Sequence, residues 1–175
     1  GVTYNDGDFS ILLGLMNPDT LSVNNILPYY TASPAWKAVL PGDTQPVLFA
    51  IQPQGTVHDA AVQMAASQSF RAGYENTLHI DLKNVGTVSS SGQLKLALNP
   101  LLSVLNTTPP ADVISGDTLV WNYSNLPPLQ NRKYRVNVST AVAPPGTQVL
   151  VRAEVLAGAD ADILNNVAIL DEQIV

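Results

Sequence analysis

The stretch "DTLVWNYSNLPPLQNRKYRVNV", residues 117–138, decides the fold because two alternating apolar runs flank a Pro-Pro turn. A period of two is typical of β-strands that bury one face. The stretch therefore predicts two strands of a sandwich, with Trp121 filling the space between the sheets. The residues predicted to face inward are Leu119, Trp121, Tyr123, Tyr134, Val136 and Val138.

The same alternation recurs in "TLHIDLKN" (77–84), "QLKLALN" (93–99) and "TQVLVRAEV" (147–155). Turn signals rich in Gly, Pro, Asn and Asp separate these runs. Short strands at such spacing predict an antiparallel sandwich, and residues 57–175 suffice for an immunoglobulin-like module of about 100 residues. The predicted fold class is all-β: an immunoglobulin-like antiparallel β-sandwich with an additional smaller, incomplete N-terminal β-domain.

Three further segments carry specific expectations. The pattern in "YRVNVSTAV" places Val142 on the inward face, together with the residues before it. "DAAVQMAASQ" from Asp59 predicts a strand, with a short helix as the alternative. "NNVAILDEQIV" is more continuously apolar than the other runs, which is consistent with burial on both sides.

Residues 1–52 are also β-patterned, beginning with a hairpin signal whose tip is Asp6-Gly7. The segment 53–56, within "QPQGT", is the predicted linker. Residues 1–52 are short for a free-standing sandwich, so we expect an uncovered apolar face that packs on residues 57–175 or pairs with a second copy. Candidates for that face are Phe9, Ile11, Leu13, Leu48 and Ile51.

Composition excludes several classes of function. The net charge is −6 and the eight Lys and Arg are scattered, which argues against nucleic acid as a partner. The densest basic cluster, in residues 132–135, is interpreted as a solvated hairpin flank. The absence of cysteine removes disulfides, thiolate metal sites and a Cys nucleophile. No apolar run approaches the roughly 20 residues of a membrane span.

The candidates for catalysis and binding are polar and aromatic side chains. His58 and His79 are both predicted to be solvated, so no catalytic residue and no cofactor is assigned. Asp160, Asp162 and Asn165 are candidates for calcium, against the alternative that they cap turns. Tyr29, Tyr30 and Trp36 are candidates for contact with a ligand, because their Pro-flanked segment is irregular.

A set of spaced motifs over residues 57–175 resembles the immunoglobulin-like repeat domains of bacterial surface proteins. The motifs are Asn-x-Gly, G-x-L-x-W followed by L-x-P, a Gly-Thr strand and a closing D-x-x-N-N-x-A. Residues 1–52 resemble the latter part of a collagen-adhesin B-type, or carboxypeptidase-regulatory-like, prealbumin-like sandwich. The matching positions in the repeat are Asn84, Gly86, Gly116, Leu119, Trp121, Leu126, Pro128, Gly146, Thr147, Asp162, Asn165, Asn166 and Ala168.

The resemblance implies a secreted or cell-surface multidomain bacterial protein without inherent chemistry. The expected function is a non-enzymatic structural or adhesive module. Its alternatives are a carbohydrate-binding accessory module of a secreted hydrolase and a calcium-stiffened stalk repeat. The expected partners are neighbouring domains of the same polypeptide and a host or cell-surface protein or glycan, together with self-association through residues 1–52.

Overall fold

The structure is a computed structural model that describes residues 2–3, 9–10, 18–24 and 26–175. The described residues form β-strands and connecting turns, with no helix among them. The chain divides into two compact units, Gly1–Gln54 and Gly55–Val175.

The first unit contains short paired strands. Its strands are β1 (Val2–Thr3), β2 (Phe9–Ser10), β3 (Asp19–Ser22), β4 (Tyr30–Ser33), β5 (Trp36–Val39) and β6 (Ala50–Pro53). The pairs are β1 with β2, β3 with β5 and β4 with β6, all antiparallel. The β1–β2 pairing confirms the N-terminal hairpin, while its predicted tip at Asp6-Gly7 lies outside the described residues.

Much of the apolar surface in the described part of the first unit remains accessible. Ala32 and Val39 are buried, but Leu48 is 79% and Ile51 47% exposed. Both belong to the predicted uncovered face. Of its other members, Ile11 and Leu13 lie outside the described residues, as does the side chain of Phe9. The resemblance of residues 1–52 to a prealbumin-like sandwich stays a prediction.

The second unit is an immunoglobulin-like antiparallel β-sandwich. One sheet has the strand order β10-β13-β8-β7, and the other has the order β11-β12-β9-β14-β15. The chain repeatedly crosses from one sheet to the other. The strands are β7 (Ala60–Ala66), β8 (Glu75–Asn84), β9 (Ser90–Ala97), β10 (Leu102–Thr108), β11 (Val113–Ser115), β12 (Thr118–Leu126), β13 (Asn131–Thr140), β14 (Gln148–Ala157) and β15 (Val167–Gln173).

The core lies between these two sheets, and alternation along each strand determines its membership. The inward positions predicted on β8, β9, β12, β13 and β14 are all buried. Burial of a Val or Leu side chain contributes roughly 1.5–3 kcal/mol, so this shared core is the main source of stability. Phe70, in the loop after β7, is fully buried and adds a residue that strand periodicity does not identify.

Two of the sequence expectations are wrong, and one ambiguity is resolved. Val142 is 88% exposed because β13 ends at Thr140, before the alternation reaches it. β15 is an edge strand paired with β14, so its outer face meets solvent and Ile169 is 61% exposed. The segment from Asp59 contains the predicted strand, β7, rather than a helix.

Candidate functional site

Trp121 belongs to the core, as the sequence predicts. Its side chain is 2% exposed, and its indole Nε1 donates a hydrogen bond to the carbonyl oxygen of Pro109 at 3.1 Å. The ring packs against that of Tyr134, with centroids 5.3 Å apart and planes tilted by 53°. A ring enclosed in this way offers no face to a ligand.

Two buried tyrosines carry the resolved pKa shifts of the core. Burial raises the pKa of Tyr123 and of Tyr134 above the ordinary value of 10.0, because the phenolate loses hydration. The Tyr123 hydroxyl shares a 3.1 Å hydrogen bond with Ser90 Oγ, and Arg132 near Tyr134 opposes part of the increase there. Both rings are structural groups that remain neutral at physiological pH.

Two of the predicted calcium candidates, Asp160 and Asn165, form hydrogen bonds to the segment that begins β7. Residues 58–62 and 160–165 are joined by hydrogen bonds across a sequence separation of about a hundred residues, and we call this set of bonds the entry clamp. Asx side chains supply two of its four bonds. The bonds run from Ala60 N to Asp160 Oδ2 (3.0 Å), Val62 N to Asn165 O (3.0 Å), Asn165 Nδ2 to Asp59 Oδ1 (2.9 Å) and Ala161 N to His58 O (2.8 Å).

Asp160 and Asp162 also cap the turn in which they lie. Asp160 Oδ1 accepts from Asp162 N at 3.1 Å, and Asp162 Oδ1 accepts from Leu164 N at 3.0 Å. These are the bonds that the turn-capping alternative predicts for both residues, and the calcium assignment stays a prediction. The described residues include no group of three or more His, Asp or Glu side chains placed to hold a metal ion. The buried Oδ1 atoms of Asn165 and Asn166 have no hydrogen-bond partner among the described residues.

A second network, around Asn84, holds the same end of the sandwich. Asn84 Nδ2 donates to the carbonyl oxygens of Val88 and Leu126, both at 2.8 Å, and Asn84 Oδ1 accepts from Gly86 N at 3.0 Å. Gly86 N also bonds the carbonyl oxygen of Asp59 at 3.1 Å. The Asn-x-Gly motif therefore ties the end of β8 to the chain entry, which is a structural role.

The aromatic candidates of the first unit lie on or beside two separate pairs of strands. Tyr30 is on β4 and Trp36 on β5, and these strands belong to different two-stranded sheets. Tyr29 and Tyr30 are half-buried, whereas Trp36 is 62% exposed. Trp36 is the member of the set that presents a large aromatic surface.

A shallow trough of about 630 Å³ lies on the outer face of β7, β8 and β13 and reaches β15. No local sequence pattern identifies this trough, because its lining combines β7 and β8 with β13 and β15, which lie much later in the chain. The strand register brings its side chains into two rows across the sheet. One row is Gln63, Asp81 and Lys133, and the other is Ala65, His79 and Arg135.

His79 makes one hydrogen bond that sequence spacing does not predict. Its Nε2 lies 2.7 Å from Ser67 Oγ, and both residues are exposed, as predicted for His79. Nucleophilic catalysis by such a pair needs a group that orients the second imidazole nitrogen. Within residues 26–175 no hydrogen bond to that nitrogen is present. His58 is also exposed and contributes its backbone carbonyl to the entry clamp.

The chain matches no family model and no curated protein. Among solved structures it is similar to the CARDB domain of the PF1109 protein from Pyrococcus furiosus, determined in complex with di-metal ions. That similarity has a TM-score of 0.50 at 18% identity and covers 68% of this chain and 90% of that one. A bacterial hydrophobin, BslA, matches with a TM-score of 0.40 at 14% identity over 69% and 97% of the two chains.

The CARDB similarity supports the fold predicted for residues 57–175, an immunoglobulin-like sandwich. At this identity it carries information on fold alone. None of the described residues forms a helix of the length and apolarity needed to cross a membrane.

Proposed function

We propose that the chain is a non-enzymatic structural or adhesive module of an exported, multidomain bacterial surface protein, and that its second unit transmits mechanical tension. The supporting observation is the path of the chain through the sandwich. The chain enters at Ala60 beside the end of β8, and β15 ends at Gln173 beside the start of β14. Entry and exit therefore lie at opposite ends of the sandwich.

The terminal strands run in the same direction along one side of the sandwich. Val62 N bonds Asn165 O at 3.0 Å, and Val175 N bonds Phe70 O at 2.9 Å, so residue numbers increase together along both segments. The hydrogen bonds that hold β7 to β8 and β15 to β14 are perpendicular to the strands. Tension between the two termini of the unit would load these bonds in shear.

Shear loading increases the resistance of the unit to forced unfolding, because the hydrogen bonds of a strand must break together rather than one after another. The entry clamp adds four bonds at the point where tension would first act. The Asn84 network adds bonds to the same segment through Asp59. A spacer or adhesive stalk under flow needs this property, whereas an enzyme does not.

Single-molecule pulling tests the mechanical part of this proposal. The whole chain, held through handles at its two ends, should show one force peak that releases the contour length of the second unit. Forced unfolding reports the unfolding rate rather than equilibrium stability. Asp160→Ala should lower the peak force, since it removes the bond to Ala60 N.

Asn122→Ala is the matched control. Asn122 makes side-chain hydrogen bonds to Gln93 and Asp112, away from the terminal strands. Its loss should leave the peak force unchanged. A second unit that extends without a peak, or an equal loss of force in both variants, would contradict the mechanical role.

Surface location needs a separate measurement. Intact cells that produce the full-length parent protein should lose reactivity toward an antibody against this chain after brief treatment with an external protease. Reactivity that resists the protease until the cells are lysed would contradict export.

A carbohydrate-binding accessory module is the second candidate, favoured by the 62% exposure of Trp36. Stacking on an exposed aromatic ring is one way to bind a sugar. Retention on a neutral polysaccharide array that Trp36→Ala abolishes would support this candidate. The calcium-stiffened stalk and the self-association through residues 1–52 stay predictions.

A further inference from the structure

We propose that the trough on β7, β8 and β13 binds an acidic polysaccharide whose sugars carry carboxylates, that is, a uronic-acid chain. Such a ligand would serve the adhesive role, and to that extent the proposal rests on the proposed function. Its basis is the distribution of charge and of hydrogen-bonding groups on the outer face of the sheet.

Cationic side chains are concentrated at this face although the whole chain has a net charge of −6. Of the eight Lys and Arg, Lys83 on β8 and Lys133 and Arg135 on β13 alternate onto this outer face, whereas Arg132 is on the inward side of β13. Lys133 and Arg135 point outward, are exposed and form no salt bridge within residues 26–175. They are therefore available to an anion.

The trough keeps a net positive charge, because its lining has two cations, Lys133 and Arg135, against one carboxylate, Asp81. Asp81 is opposite Lys133 in the register, but its two carboxylate oxygens accept hydrogen bonds from Asn131 Nδ2 at 2.8 and 3.0 Å. Carboxylate oxygens have further lone pairs, so Asp81 can also accept from a hydroxyl. Gln63, in the same row, offers both a donor and an acceptor.

A ligand for this surface must match cations and acceptors at once. Carboxylates on the ligand would bind Lys133 and Arg135, and hydroxyls would donate to Asp81 and Gln63. A uronic-acid chain supplies both groups on neighbouring sugars. An acidic peptide supplies carboxylates but few hydroxyls, and β8 and β13 are paired with strands on both sides, which prevents strand addition to either of them.

The shape of the trough agrees with a linear ligand bound by several weak contacts. It crosses β13, β8 and β7 and continues to Ile169 on β15. At a spacing of about 4.8 Å between paired strands, the part of this path from β13 to β7 is roughly 10 Å long. Because the trough is open, each contact stays solvated, and strong retention would require several modules on one polysaccharide.

The test is affinity electrophoresis of the whole chain through gels that contain polygalacturonate. Polygalacturonate should retard the chain, whereas dextran, a neutral polysaccharide, should not. Lys133→Gln combined with Arg135→Gln should weaken binding about tenfold, equivalent to 1.4 kcal/mol. Lys37→Gln with Arg71→Gln is the matched control, because it removes one exposed Lys and one exposed Arg elsewhere and should retain binding.

Three outcomes would overturn the proposal. The chain could show no retardation by polygalacturonate, or the control variant could lose as much retardation as the trough variant. Poly-glutamate could also retard the chain as strongly as the polysaccharide does, which would assign the trough to acidic peptides. Neither the force peak nor the surface location depends on any of these results. The mechanical role could therefore be correct even if the trough does not bind a polysaccharide.

Discussion

The two tryptophans of this chain both lie on β-strands but have very different surroundings. Trp121, on β12, is 2% exposed between two sheets, whereas Trp36, on β5, is 62% exposed on a two-stranded sheet. Alternation places a side chain on one face of a strand, but burial requires a second sheet over that face. A two-stranded sheet is marginal by itself in water, so the two regions differ in what holds them together.

Substitution of each tryptophan gives the most direct test of this comparison. Trp121→Ala should destabilise the chain by roughly 3–5 kcal/mol, because it empties a large aromatic site in the core. Trp36→Ala should change stability by no more than about 0.5 kcal/mol, as is usual at exposed positions. Denaturant unfolding measures both. Equal effects of the two substitutions would mean that the comparison is wrong.

The close packing of the second unit near the chain entry predicts an intermediate effect for Gly86→Ala. A Cβ at this position would overlap the carbonyl oxygen of Val57 and lie 2.8 Å from the amide nitrogen of Asp59. Both are backbone atoms, so relief requires a backbone shift that costs about 1–3 kcal/mol. Gly158→Ala is the control, since nothing lies within 4 Å of its added Cβ. The melting temperature should fall for Gly86→Ala and stay unchanged for Gly158→Ala. An unchanged melting temperature of Gly86→Ala would show that the entry segment is loosely packed.

Alkaline pH should weaken the second unit through its buried tyrosines. The pKa values of Tyr123 and Tyr134 are raised by burial, so the folded pKa exceeds the unfolded value of 10.0. The stability they contribute is complete below about pH 10 and is lost as the pH rises through the folded pKa values. Denaturant midpoints recorded from pH 8 to 12 should fall above pH 10.

Tyr123→Phe combined with Tyr134→Phe should reduce this decline, although loss of the bond to Ser90 lowers the starting stability. Tyr74→Phe, at a position that is 64% exposed, should leave the profile unchanged. A profile that is unaffected by the double substitution would show that other groups cause the alkaline decline.

The smallest expected effect concerns calcium. Asp160 and Asp162 use carboxylate oxygens for backbone hydrogen bonds in the entry clamp and in their turn. We therefore expect a chelator to leave the melting temperature of the chain unchanged. A bound ion at a hundredfold excess over its dissociation constant would add about 2.7 kcal/mol, which a melting curve would detect. A decrease of several degrees that Asp162→Ala removes would restore the stalk alternative.

The sequence by itself determined the strands of the sandwich and the faces they bury. A period of two is a local property, so Leu78, Trp121 and Val151 could be assigned to the core without knowledge of their neighbours. Local patterning could not identify where a pairing ends. Val142 continues the alternation of β13 but is 88% exposed, because the strand itself ends at Thr140.

Only the tertiary structure decided which polar residues meet. The spacing of Asp160 and Asn165 does not indicate that they bond Ala60 and Asp59, about a hundred positions earlier in the chain. Lys133, Asp81 and Gln63 form one row because β13, β8 and β7 pair in a particular register. Strand pairing depends on contacts between distant segments, and no local pattern specifies them.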